Sequence, residues 1–417
     1  MPEWAGGGMM RRSGAVFLGI LGLAGLDCRN SIQPPQPAVS AVRDPYCQAG
    51  SWTLGNFHMH STHSDGAYSG AELVQLYRLR GYGVLCISDH NQYGDQDGGL
   101  HPAIQSDNVV HDWNGDGVTH PEHVPGSGVE AYVREWSVPP VEWLKDEWYL
   151  PELLQRQEAQ VLLPGAEASL GGWHIGLIGY PATWIEPPRG STAFIGRTRD
   201  AGGFIFLAHP GEWNGKGIGL ASSLDMNAFH GLEIANGLRL TKGEAWDATP
   251  LWDELLGMGY RMWGMGNDDA HTTSDTREAQ PFTAFNVVLT SEATREGYLQ
   301  ALHRGSFYAS TGVFFSHLGI VGDEIVVEAP LADEISFIGA GGARLQVSAA
   351  SSAKYSLRGD ETYVRVEARQ QGSTTCAWSQ PFFVAGTPCG PTATKPGPGF
   401  AADFLAETGC RCSGPSR

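Results

Sequence analysis

Short apolar runs alternate with helical stretches across residues 52–312, which predicts an α/β fold. From residue 313 the pattern changes to brief alternating runs split by Gly, Asp and Ser, which predicts a small β-sandwich behind it. The length of 417 residues fits one large domain plus a smaller one. With 41% hydrophobic residues and 13 tryptophans, the composition is not that of a disordered chain.

The chain opens with a stretch that reads as a secretory signal, 1–28. Arg11 and Arg12 are followed by an apolar run of roughly 13 residues, too short to span a bilayer. Cys28 follows directly and is a candidate for lipid modification, although Asp27 sits where a small residue is usual. The protein is therefore expected to be exported: periplasmic, extracellular, or held at a membrane surface through lipidated Cys28. Residues 29–51, rich in Pro, Gln and Ser, read as a linker. No later apolar run is long enough for a transmembrane helix.

Within 52–312 the predicted strands are 53–59, 83–88, 161–164, 174–179, 203–208, 231–235, 261–266 and 284–289. Predicted helices include 69–80 and 291–304, which stop before Gly81 and Gly305 as helices commonly do. An insertion is expected at about 92–160. The β-sandwich is expected over 313–385, and 386–417, with its Pro-Gly runs, as an irregular tail. Seven cysteines suit an exported protein. Cys47, Cys376, Cys389, Cys410 and Cys412 could supply one or two disulfides whose pairing the sequence does not fix. Cys86, in an apolar run, reads as a buried free thiol.

The chemistry sits at the ends of the predicted strands. The first ends in Asn-Phe-His58-Met-His60, and residues two apart on a strand face the same way, so both imidazoles would enter one site. The second ends in Ser-Asp89-His90-Asn. Glu167, His174 and His209 follow at later strand ends, and Asp269-Ala-His271 repeats the spacing of two. One His-x-His is weak evidence. A series of such clusters at successive strand ends is where a β/α barrel gathers functional residues, and metal coordination satisfies groups that are costly to bury unpaired. The donors are nitrogen and oxygen with no thiolate, which suits zinc, manganese or iron(II). Asp89 has the opposite strand parity to His90 and reads as a partner that orients a ligand. Asp268 reads either that way or as merely solvated.

These motifs resemble the PHP (polymerase and histidinol phosphatase) metallohydrolases: His-x-His-x-x-x-Ser-Asp-Gly at 58–66, Asp-His-Asn at 89–91, Gly-x-Glu at 165–167, Ala-His-Pro at 208–210 and Asp-Ala-His at 269–271. The nearest branch is similar to carbaryl-hydrolase-like enzymes, on Gly-Trp-His at 172–174, the Gly-Ser-Phe-Tyr-Ala-Ser-Thr-Gly segment at 305–312, and 363–367 followed by 377–379. The resemblance implies a distorted seven-stranded β/α barrel over 52–312 holding two or three divalent metals. One metal would take His58, His60, Glu167 and Asp269. A second would share Glu167 with His174 and His209, and a third would take Asp65, His90 and His271. Asp65, His90, Glu167 and Asp269 are the expected catalytic residues. His63 stands where the family often has an aromatic residue and competes with Asp65 as a ligand.

Clustered metals point to hydrolysis by a metal-bridging hydroxide, most simply of a phosphoester, with a carbamate, ester or amide as the alternative. A non-catalytic protein stabilised by its metals is the third reading. No Gly-x-Ser-x-Gly elbow and no Walker-type phosphate loop is present. The net charge of −18 opposes a nucleic-acid partner, but cations at the site would still admit a small anionic substrate. Arg239 and Lys242 are the nearest candidates to contact it, with a solvated surface role as the alternative. In the insertion, 112–117 begins like a calcium loop but lacks the Glu at position twelve, where His123 stands. Tyr132, Trp136, Trp143, Trp148 and Tyr149 read as a lid or as the insertion's own core.

Overall fold

The computed structural model describes residues 42–61, 64–66, 68, 70–90, 160–170, 172–179, 191–271 and 281–384, all within the unit Pro37–Arg417. The expected signal with Cys28, most of the linker and nearly all of the insertion lie outside the described residues. So do His63, the aromatics of 132–149, the calcium-like loop and the tail with Cys389, Cys410 and Cys412. No described helix is long and apolar enough to cross a membrane.

Strand β1 (Val42–Arg43) is followed by β2 (Ser51–Asn56), helix α1 (Gly70–Leu79) and β3 (Tyr82–Leu85). After residue 160 come β4 (Val161–Leu162), β5 (Gly165–Leu170), β6 (Trp173–Ile178), α2 (Ser191–Asp200) and β7 (Phe204–Leu207). Then follow α3 (Gly217–Ser223), β8 (Gly231–Asn236), α4 (Gly237–Lys242), α5 (Thr249–Gly257) and β9 (Trp263–Asn267). The next group is β10 (Phe285–Thr290), α6 (Arg295–Arg304) and β11 (Phe307–Ser310). The remaining strands are β12 (His317–Val321), β13 (Glu324–Glu328), β14 (Glu334–Ile338), β15 (Arg344–Ser348), β16 (Ser352–Ser356), β17 (Tyr363–Arg369), β18 (Cys376–Trp378) and β19 (Phe382–Val384).

The fold is mixed α/β, and the strands among the described residues form three sheets. In the largest, β2, β3 and β4 run parallel, while β10 flanks β2 antiparallel and leads on through β11, β18, β17 and β19 to β1. The second is ordered β5-β6-β7-β8-β9, antiparallel at first and parallel from β7 onward. Strands β3, β7, β8 and β9 are buried along their whole length, as parallel strands covered on both faces must be. The expected seven-stranded barrel does not appear as a continuous ladder. β4 is only two residues long, and the chain moves to the second sheet at Gly165. Two isolated parallel bridges link the sheets, Met59 with Ala270 and His90 with Glu167. Those bridges bring the site residues together.

The expected sandwich region contains the three-stranded sheet β12-β13-β16, whose Ile325, Val327 and Tyr355 share a core with Ile335, Phe337, Val364 and Val366. Its other strands are not set apart from the first sheet: Trp378 of β18 pairs with Ala309 of β11 on one side and Glu367 of β17 on the other. The end of the expected linker is also built into the fold. Tyr46 is buried, its hydroxyl donates to Phe307 O, and Val42 pairs with Val384. Cys47 is disulfide-bonded. Cys376, grouped by sequence with the disulfide candidates, is instead a buried free thiol in β18, as Cys86 is beside β3.

Candidate metal centre

Beyond its last ladder residue, the chain after β2 runs parallel to the chain after β9. Asp269 N donates to His58 O at 2.9 Å and His60 N to Ala270 O at 2.8 Å. Two strand ends far apart in sequence thus deliver His58, His60, Asp269 and His271 to one place. On the other side, Glu167 N donates to Asp89 O at 3.1 Å, which sets His90 beside Glu167. His174 comes from β6, and Ala208 N donates to His174 O, which brings His209 alongside.

Glu167 is the centre of the cluster and is buried. Its Oε1 lies 3.3 Å from His58 Nε2, 2.9 Å from His174 Nδ1 and 3.1 Å from His209 Nε2. Its Oε2 lies 3.3 Å from His60 Nε2 and 2.9 Å from His90 Nδ1. Asp269 Oδ1 faces the Nε2 atoms of His58 and His60 at 3.3 and 3.2 Å. Asp65, half exposed, faces His90 Nε2 at 3.5 Å and His271 Nε2 at 3.2 Å through its Oδ2. All nine sequence-predicted ligands therefore converge. The compact groupings of donor atoms are His60 with Asp65, His90 and His271; His58 with His60 and Glu167; His58 with His209 and Asp269; and His90 with Glu167 and His174. They overlap the three expected sets but share His58, His60 and His90 between neighbours.

The donor atoms crowd together without satisfying one another. His58 Nε2, His60 Nε2, His90 Nδ1, His174 Nδ1 and Glu167 Oε2 are all buried and have no hydrogen-bond partner. Orphaned polar atoms are rare in folded proteins, and five aimed into one space fit divalent cations. The local field says the same. Burial opposes protonation of His58, yet Asp269, Glu167 and Glu233 outweigh it and pull its pKa well up. Against the same cost of burial, Asp65 and Glu167 bring His90 up to about 10. His60 is pushed down by burial and by the neighbouring His271 and His90. Burial would raise Glu167, but His58, His174 and His209 hold it well below the usual carboxylate range. A site that draws protons onto imidazoles in this way would exchange them for metal ions.

Asp89 does orient its neighbours. Its Oδ1 accepts from Ser61 N at 2.7 Å and Ser64 Oγ at 2.8 Å, and its Oδ2 from Ser61 Oγ at 2.7 Å. This fixes the turn that carries Asp65, whose Oδ1 lies 3.5 Å from His60 Nδ1. Asp268 is not solvated. It is fully buried and accepts from Tyr77 OH, Asn56 Nδ2 and the backbone N–H groups of Phe282, Thr283 and Ala284. Arg239 Nη2 stands 3.5 Å from His209 Nδ1, whereas Lys242 is exposed. The sequence reading missed Glu233, a buried carboxylate behind His58 at 3.1 Å from Nδ1. Its only signal was an acidic residue inside the otherwise apolar run of β8.

No family model matches this chain. It is similar to the DNA polymerase/3'-5' exonuclease PolX of Bacillus subtilis, 49% identical over 39 residues that make up 9% of this chain and 7% of that protein's length. Among solved structures it is similar to a two-domain protein from Bacteroides vulgatus containing a predicted PHP-like metal-dependent phosphoesterase. That match has 14% identity and a TM-score of 0.40, covering 80% of this chain and 87% of the other. It is also similar to an amidohydrolase from Chromobacterium violaceum, at 16% identity and a TM-score of 0.29, covering 54% of this chain and 90% of that one.

Proposed function

We propose that the protein is a metal-dependent hydrolase of the PHP type, acting as a phosphoesterase on a small anionic substrate. The observation that carries this reading is the set of orphaned nitrogen and oxygen atoms around Glu167. Two or three divalent ions, zinc, manganese or iron(II), would meet them. His58, His60, Glu167 and Asp269 would hold the first, Glu167 with His174 and His209 the second, and Asp65, His90 and His271 the third. Bound there, the ions would supply positive charge to acidify an attacking water and to polarise the oxygen of the bond under attack.

The chain's own residues divide the remaining work. Glu167 presents one oxygen to His58, His174 and His209 and the other to His60 and His90, so it spans the neighbouring seats. Asp65 lies on the solvent side, where substrate would enter. Arg239 is placed to bind an anionic oxygen. With a metal ion held at its Nε2, His209 would carry its proton on Nδ1, and that N–H and the Arg239 Nη2 would both require an acceptor. Arg239→Ala should raise KM for an anionic substrate roughly 10-fold or more with little change in kcat. The same reading takes the two sheets as one distorted barrel. Its support is the pair of isolated bridges, which give seven strands when β4 and β5 count as one interrupted strand. It keeps 52–312 and 313–385 as the two domains, export by the first 28 residues, and a −18 chain without nucleic-acid partners.

The test is an assay of the purified full chain against phosphomonoesters, phosphodiesters, aryl carbamates and aryl esters. Phosphoester turnover that chelation abolishes and added zinc or manganese restores is the expected result. Turnover of carbamates or esters alone would reassign the reaction, and metal-loaded protein inert to all four classes would leave the metals a structural role.

A further inference from the structure

We infer that Glu233 is a positioning residue: it holds His58 as the tautomer protonated at Nδ1 and ties the seats of His58, His209 and Asp269 together, without binding metal itself. The inference rests on reading the cluster as a metal centre.

Glu233 is fully buried in β8 and has no capacity left for a cation. Its Oε1 takes Asn267 Nδ2 at 3.0 Å and faces His58 Nδ1 at 3.1 Å. Its Oε2 accepts from Asn236 Nδ2 and from His209 N, each at 2.8 Å. An ionised carboxylate only accepts, so against Glu233 His58 presents its proton on Nδ1. A neutral imidazole then has a bare lone pair on Nε2, the atom that lies 3.3 Å from both Glu167 and Asp269 and lacks a hydrogen-bond partner. This is the arrangement by which a carboxylate behind a histidine aims it at a metal.

The same carboxylate reaches two further seats. His209 has φ 30° and ψ 51°, a left-handed conformation that disfavours a residue with a side chain, and its N–H is held by Glu233. Asn236 donates to Glu233 and also to Asp269 Oδ2 at 3.2 Å, and Asp269 is itself left-handed at φ 52°. Two strained ligands and one tautomer thus depend on one buried acid. Carboxylates also stand near His60 Nδ1 (Asp65, 3.5 Å) and His271 Nδ1 (Asp269, 3.6 Å), but those two are themselves expected ligands, which Glu233 is not. His60 Nδ1 faces Ser64 Oγ, and His271 Nδ1 faces a backbone carbonyl.

The experiment uses the full chain, stripped of metal and labelled with 15N, and reads histidine tautomers from two-bond 1H–15N correlations. His58 is assigned by the signal lost in His58→Asn. A proton on Nδ1 is expected, with or without a second one on Nε2, and an Nδ1 without a proton would overturn the inference whether or not any variant folds. Glu233→Gln, which places an amide N–H beside these donors, should convert His58 to the Nε2–H form and weaken zinc binding roughly 10- to 100-fold in competition with a chelating dye. Unchanged zinc affinity in folded Glu233→Gln would also overturn it. If the native chain takes up no zinc at all, the metal-centre reading fails, and the tautomer alone decides the role of Glu233.

Discussion

At the scale of single residues, the cluster depends on small side chains as much as on its ligands. A Cβ on Gly66 would lie 1.9 Å from His60 O, a backbone atom that cannot give way. Gly66→Ala should therefore displace the turn carrying Asp65 and lower metal occupancy by about one ion, measured by elemental analysis, while the deeper seats stay filled. His230, outside the cluster, gives a test of pH dependence. Burial, His303 and Arg199 hold its pKa down to about 3, and its Nδ1 accepts from Ile205 N at 3.0 Å. An unfolded His230 takes a proton near its ordinary value of 6.5. Its contribution is thus present above that pH and lost as pH falls from 6.5 towards 3. His230→Asn keeps an acceptor without the charge, so its urea stability should fall less steeply on acidification, by up to about 1.4 kcal/mol per pH unit. Parallel curves for the two proteins would contradict this. The ligands were legible because His and Asp at spacing two, beside an apolar run, have few other uses. Glu233 was not, because a lone acid inside a strand carries no spacing, and its purpose shows only when His58 and two asparagines are seen around it.

At the scale of elements, α5 is fastened to β17 by a buried ion pair. Arg365, 2% exposed, donates from Nε and Nη2 to Asp253 at 2.8 and 2.6 Å, and Tyr363 OH donates to the same carboxylate. Removing one partner leaves the other charged and dry, so Asp253→Ala should cost about 3–5 kcal/mol in unfolding free energy. Asp253→Ala combined with Arg365→Met should recover most of that, and simple additivity in the double variant would show that the pair does not act as a unit. The sequence located most elements and misjudged their ends. Strands expected at 53–59 and 83–88 stop at Asn56 and Leu85, because the residues beyond turn from ladder pairing to the bridges that form the site. Strand β5 went unrecognised as a strand. Its Gly-Ala-Glu-Ala-Ser-Leu has no β-branched residue, and antiparallel pairing with β6 along its whole length is what extends it. Gly165 opens it where a Cβ would meet Cys86 Sγ at 2.0 Å, a close approach that only glycine permits. Helix α6 was better marked, since Thr294 caps it and Gly305 ends it at φ 74°.

At the scale of the whole molecule, a chain of net charge −18 gathers its six site histidines around three carboxylates and leaves five of their ligand atoms unpaired. Divalent ions would turn that centre positive and let a small anion approach an otherwise acidic protein. How the strands divide into sheets was not legible, because β17 and β18 continue the ladder of β10 and β11 and only tertiary pairing reveals it. The most direct measurement is the metal content of the purified protein, taken together with its rate on the phosphoester panel, for the native chain and for Glu167→Ala, His58→Ala and Asp269→Ala. Two or three ions per native chain are predicted, with each variant losing at least one ion and at least about 100-fold in rate. A native chain that folds and hydrolyses its substrate with no bound metal, or variants that keep both full metal content and full rate, would contradict it.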